Sequence, residues 1–153
     1  GQPISTAEDA AAVRAQIESV YAAADMDADG RISNRNLAAL WKPGNHKTGE
    51  VFCTHSGDDL GPEWEQVWRV HQDYDNSVYP DIAPGKPAWL TFDVPYHGTT
   101  PETALPFVPG QPAHAIYHSG EYMLFTDEII YKCKLDTTYS PTEQPDAWEA
   151  VSQ

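Results

Sequence analysis

Positive charge is what this chain has least of: nine Lys and Arg stand against 23 Asp and Glu, for a formal charge of −14. Nucleic acid and anionic membrane surfaces are held mainly through Lys and Arg on phosphates, so neither is an expected partner. Acidic charge of this size suits cations or neutral ligands, and commonly serves solubility alone. No apolar run approaches the roughly 20 residues that span a bilayer, and no basic start followed by an apolar stretch suggests a signal peptide. Cys53 and Cys133 are the only cysteines, too few for a disulfide scaffold. One bridge or two buried thiols fit equally, and a cytoplasmic setting is favoured slightly over secretion. A Gly-rich phosphate loop, a nucleophile elbow and a Cys–His pair in recognisable context are also missing, which sets phosphoryl transfer and serine-hydrolase chemistry aside.

What is present is one domain's length of chain, 153 residues, of which 41% are hydrophobic, so there is a core to build. Ser5-Thr6-Ala7-Glu8 reads as a capping box, and Val13, Ile17, Val20, Tyr21 and Ala24 then fall on one helical stripe. The stripe stops at an Asp-rich turn over 25–30. Ser33 or Asn34 can cap a second helix that buries Leu37, Leu40 and Trp41 and ends at Pro43-Gly44. A short strand is expected over 50–54. Pro62 opens an expected third helix with Trp64, Val67, Trp68 and His71 on one face. Three β-like runs follow, over 88–96, 113–126 and 129–138, the second bent or broken at Ser119-Gly120. Helices first and antiparallel strands later predict an α+β fold, N-terminal helices packed on a curved sheet. The expected domain spans 1–140, and 141–153 reads as a loosely docked acidic tail.

Residues 25–36 resemble a calcium-binding EF-hand loop. Asp25, Asp27 and Asp29 take the first, third and fifth positions, Gly30 the sharp turn, and the Arg31 carbonyl the seventh. Ile32 holds the apolar eighth position and Ser33 the ninth. At the twelfth, where a bidentate Glu is expected, the chain has Asn36, and no second such loop is visible. The resemblance implies calcium as the ion this segment would take.

The histidines are the other reservoir of chemistry. His71 belongs to the expected third helix, and His97 ends the run Val94-Pro95-Tyr96-His97. His114 and His118, four apart on an expected strand, would lie about 13 Å apart on one face, too far to share one metal. A helix ending Tyr-Ala-Ala-Ala-Asp, a second reading Asn-Leu-Ala-Ala-Leu-Trp-Lys-Pro, a third helix, and strands ending Ile-Ile-Tyr-Lys-Cys-Lys-Leu-Asp together resemble the nuclear-transport-factor-2-like superfamily. Within it the chain is most similar to the SnoaL-like and scytalone-dehydratase-like branch. That resemblance implies a cone-shaped pocket between the helices and the sheet. In it Asp25 would pair with His97, His71 would be the second histidine, Tyr21 would stand near the position of the family Tyr, and Asp136 would stand where SnoaL-like cyclases carry an acid. Position 24 is Ala where that Tyr is expected, and Tyr96 separates His97 from the Val-Pro pair. Sheets of this superfamily commonly pair through their outer face, which implies a homodimer.

The chemistry follows without the family. A carboxylate fixes a histidine tautomer, and the pair can take a proton from carbon beside a carbonyl. A second His or a Tyr then donates to the developing enolate or leaving hydroxyl. Trp41, Trp68, Trp89 and Tyr122 are candidates to line a pocket for a flat, small hydrophobic molecule. The expected function is a cofactor-independent isomerase, dehydratase or cyclase on a small carbonyl compound such as a polyketide or terpenoid intermediate. The alternative is a non-catalytic calcium- or ligand-binding domain. Asp25 is claimed by both, and Asp93 is the acid that would serve the pocket if the loop takes calcium.

Overall fold

The computed structural model describes residues 6–55, 65–78, 84–86 and 90–152. Thr6 starts α1 (Ala7–Ala23): its side chain accepts from the Asp9 amide at 3.1 Å, and Glu8 and Asp9 put negative charge on the first turn. At the other end the buried Arg31 guanidinium donates to the Tyr21 and Ala24 carbonyls, setting a cation on the negative end of the helix. The expected stripe is not buried as a whole. Tyr21 alone enters the core, while Val13 and Ile17 are partly exposed and Val20 is 71% exposed.

The Asp-rich segment is helical where a turn is expected. Asp27 caps α2 (Ala28–Ser33), its side chain accepting from the Gly30 amide at 2.7 Å. The second helix over 33–41 is therefore not formed. Asn34 ends α2, a single 3-10 turn covers Arg35–Leu37, and the chain is extended from Ala38, with Leu40 bridging to Cys53.

Among the described residues nine short strands follow. They are β1 (Asn45–His46), β2 (Val51–Thr54), β3 (Gln66–Val70), β4 (Tyr74–Asp75), β5 (Asp93–Pro95), β6 (Leu105–Pro106), β7 (Tyr122–Leu124), β8 (Ile130–Cys133) and β9 (Trp148–Ala150). β3 lies between β2 and β5 in an antiparallel sheet, with Cys53 opposite Val67 and Trp68 opposite Pro95. β6, β7, β8 and β9 form a second sheet in that order, its first pair parallel and the others antiparallel, and β1 and β4 make a separate ribbon. The chain is α+β, and among the described residues neither larger sheet closes on itself. No described helix is long and apolar enough to cross a membrane.

β3 stands where a third helix is expected. Val67 packs with Tyr21, Ile32 and Cys53 on one face, and Trp68 and Val70 pack with Phe52 and Tyr74 on the other. A strand buried on both faces shows no alternation, so it imitates a helical pattern in sequence. The strands expected over 50–54, 88–96 and 129–138 have their counterparts in β2, β5 and β8. The run over 113–126 is broken as foreseen, keeping only β7 after a turn at Gly120, and its start is a 3-10 turn at Ala113–Ala115.

The tail is not loosely docked. Trp148 and Ala147 are buried with Tyr117, Met123 and Cys133, the Trp148 indole donates to the Tyr139 carbonyl at 2.9 Å, and β9 completes the second sheet against β8. Both cysteines are free: Cys53 lies buried in the first sheet and Cys133 buried in the second. Burial pushes their thiols up to about 12 and about 11.

Candidate active site

His97 sits just past β5 in a segment held from several sides. The Tyr96 amide donates to the Val67 carbonyl at 2.9 Å and carries the ladder up to it. At Gly98 the chain passes so close to Thr103 that a Cβ would meet the Thr103 carbonyl oxygen at 2.1 Å, so no larger residue fits. The Gly98 carbonyl accepts from Tyr122, and Asp29 on α2 accepts from the Thr99 amide and the Thr103 hydroxyl, each at 2.7 Å. Burial opposes the charge of Asp29, but these hydrogen bonds outweigh it and hold the carboxyl below its ordinary value.

The His97 imidazole is stacked on Tyr117, centroids 4.0 Å apart, and its side chain is only 8% exposed. Glu121 accepts from Nδ1 at 3.0 Å, and the same carboxylate oxygen accepts from the His118 amide at 2.6 Å. A carboxylate on Nδ1 leaves Nε2 as the acceptor of the neutral ring, and that nitrogen is buried and, among the described residues, has no hydrogen-bond partner.

A cavity of about 220 Å³ opens here, with Arg69, Tyr96, His97, His114, His118 and Glu121 in its wall. That is below the roughly 300 Å³ at which drug-sized ligand pockets begin, so it suits a small molecule. His114 stacks on His71 at 3.9 Å, nearly parallel. Burial, then His71 and Arg69, hold the His114 pKa below the usual histidine value, because each disfavours another positive charge. His118 Nδ1 faces Asp136 at 3.1 Å, and the Ser119 amide and His118 keep the Asp136 carboxyl low.

The expected residues divide. His97 lines the cavity, while His71 and Asp136 touch it through His114 and His118. Asp25 is exposed, and the carboxylate on His97 is Glu121 instead. The Tyr21 hydroxyl donates to the Arg31 carbonyl at 2.7 Å, deep in the core, and burial pushes its pKa well up. Trp41 and Trp68 are core, with indoles on the Tyr74 and Thr54 hydroxyls at 3.0 and 2.8 Å, and the half-buried Tyr122 is taken up in β7. Trp89, Trp64 and Pro62 lie outside the described residues.

The EF-hand-like segment does not fit a calcium ion in this conformation. Positions four to nine are helix α2, Asp27 caps that helix, Asp29 is taken by Thr99 and Thr103, the Arg31 carbonyl by Tyr21, and Asn36 is exposed in the following 3-10 turn. Among the described residues no three His, Cys, Asp or Glu side chains group as metal ligands. His114 and His118 are not on a strand, yet both line the cavity.

Among the described residues Asp93 is the most deeply buried acid, 1% exposed, with Oδ2 accepting from the Tyr74 hydroxyl at 2.9 Å and no partner for Oδ1. Burial raises its pKa to about 6. On β5 it alternates with Val94, which lines the cavity, so it points the other way.

A larger apolar groove, about 520 Å³, runs along α1 between Val13, Ile17, Val20 and Leu37. Among the described residues Tyr21 is the one ionisable side chain in its wall, so they supply the groove with no acid–base pair.

The sequence reading missed Glu121 and Arg69. The signal for Glu121 was His118-Ser119-Gly120-Glu121: Gly120 at φ +95 turns the chain so that the Glu121 amide donates back to the His118 carbonyl at 3.0 Å. No protein-family model matches the chain, and no curated protein and no solved structure is significantly similar to it.

Proposed function

We propose that the chain is a cofactor-independent acid–base enzyme that moves a proton on carbon beside a carbonyl, as in isomerisation, dehydration or aldol-type cyclisation. The observation that carries this reading is the His97–Glu121 pair, with Nδ1 on the carboxylate and Nε2 buried and, among the described residues, unpartnered, on a residue that lines a small cavity. In this role His97 is the base, Glu121 fixes its tautomer and offsets the charge it gains, and His114 and His118 stand by the oxygen that becomes negative. The cone-shaped, SnoaL-like arrangement and the homodimer belong to the same proposal. The first is in keeping with a long first helix followed by mostly antiparallel strands.

The test incubates small ketones and oxo-acids with the protein in D2O and follows loss of their α C–H signals by NMR. The reading expects exchange above buffer that disappears in His97→Asn and drops by about 10- to 100-fold in Glu121→Gln. Exchange that survives His97→Asn, or none with any compound, counts against it. A second reading, a non-catalytic module for a small apolar ligand, is favoured by the groove along α1. It expects apolar probes to bind there and Val20→Asp to abolish that binding.

A further inference from the structure

The chain has four arginines, and three of them are engaged. Arg14 donates to Glu18 and the Ala38 carbonyl, Arg31 to the Tyr21 and Ala24 carbonyls, and Arg35 to the Ile32 carbonyl. Arg69 is different. It is the one exposed residue of β3 and lies in the cavity wall, and among the described residues it has no hydrogen bond and no ion pair. In a chain with 23 carboxylates that vacancy calls for a reason.

The neighbouring acids are committed elsewhere. Glu121 serves His97 Nδ1 and the His118 amide, and Asp136 serves His118 and the Ser119 amide. The other groups facing Arg69 are imidazoles: His114, with His71 stacked on it, disfavours protonation in part because Arg69 is near. The cavity wall therefore holds one permanent cation, Arg69, without a hydrogen bond or ion pair among the described residues, beside imidazoles and a Glu121 carboxylate already held by His97 and the His118 amide.

We infer that the cavity takes a ligand bearing a carboxylate, with Arg69 as its anchor and His114 as a second donor. This deepens the acid–base reading by naming the substrate class, a small oxo-carboxylate. A guanidinium pairs with a carboxylate through two parallel hydrogen bonds, and one negative charge matches the one permanent positive charge. Binding is coupled to protons. Burial, His71 and Arg69 disfavour the His114 cation, and an anion beside Arg69 offsets part of that, so binding tightens as pH falls. His71, His97 and His118 face the same region, as do the carboxylates of Glu121 and Asp136.

The experiment compares binding of 2-oxobutanoate, benzoate and acetate with that of neutral butanone, by saturation-transfer NMR at millimolar concentration, at pH 6 and pH 8. The inference expects carboxylates to bind and butanone not to. It expects binding to be tighter at pH 6 and to weaken at least tenfold in Arg69→Gln, whose fold is checked by its melting curve. Butanone binding as well as 2-oxobutanoate, unchanged affinity in Arg69→Gln, or no carboxylate binding would overturn it. His97→Asn separates the two ideas. Carboxylate binding that survives in it, without proton exchange in the unaltered protein, leaves the anion site standing and removes the enzyme. Exchange of a neutral ketone that ignores Arg69 does the reverse.

Discussion

Replacing Asp93 by asparagine isolates a charge that the fold holds against its preference. The carboxyl is buried, Tyr74 donates to one oxygen, Trp41 donates to Tyr74, and the second oxygen has no partner among the described residues. Its proton is released only near pH 6 in the folded chain and at the ordinary 3.8 when unfolded. Between those values the folded state binds more protons, so stability falls as pH rises through the window, and the full penalty stands above it. Two pKa values so far apart correspond to ~3 kcal/mol as an upper limit, and relaxation with water entry reduces this to about 1–2 kcal/mol. Asparagine keeps an acceptor for Tyr74 and carries no charge at any pH. Urea unfolding followed by tryptophan fluorescence, for both proteins at pH 4.5 and pH 7.5, should show the difference moving in the variant's favour by about 1–2 kcal/mol at the higher pH. A difference that is flat with pH, or that moves the other way, would mean that Asp93 is ionised in the fold and stabilised there, and the reasoning fails.

Three other outcomes follow from geometry already described. Gly98→Ala drives a methyl into the Thr103 carbonyl, and urea melts should show a loss of about 2–4 kcal/mol together with displaced His97 imidazole resonances; an alanine variant within 0.5 kcal/mol of the original would refute the close approach. Asp29→Asn removes a carboxyl held below its ordinary value, so the stability it supplies, present above that value and lost as pH falls through the lowered one, should vanish. Thermal melts from pH 5 down to pH 2.5 should then be less steep in the variant. Trp148→Ala opens a hole behind Tyr117 and Cys133 and should cost about 3–5 kcal/mol by urea titration, where a merely docked tail would give almost nothing.

Local signals in the sequence survived where one chemical cause dominates. Thr6 begins α1 because a hydroxyl satisfies a free amide, and β2, β5 and β8 lie where β-like runs stand between turn residues. The failures have the opposite character. Val67-Trp68-Arg69-Val70 has apolar partners on both faces, so neither period is visible in it. Asp25 to Asn36 carries ligand-type residues at calcium spacing, but Asp27 caps a helix and Asp29 holds a distant loop, contacts that only the tertiary structure supplies. His97 was legible as a site residue, whereas its partner was not: Glu121 lies 24 positions away and reaches it through a glycine turn. Val20 reads as core in any helical wheel, yet α1 is covered on too little of its surface to bury it.

The two cysteines give each large sheet its own clock. Cys53 is fixed in β2 with its thiol on the Arg35 carbonyl, and Cys133 in β8 with its thiol on the Leu135 carbonyl. Neither sulfur is accessible or ionised at neutral pH, so an alkylating reagent can reach either one only when the surrounding strands part. Modification rates then read opening free energies rather than thiol chemistry. If β2–β3–β5 and β6–β7–β8–β9 open as one cooperative unit, both thiols label together and respond equally to urea. If the hydrogen bond from Gln66 to the Pro106 carbonyl, and the packing around it, join them only weakly, one sheet labels first and identifies the part of the molecule that yields.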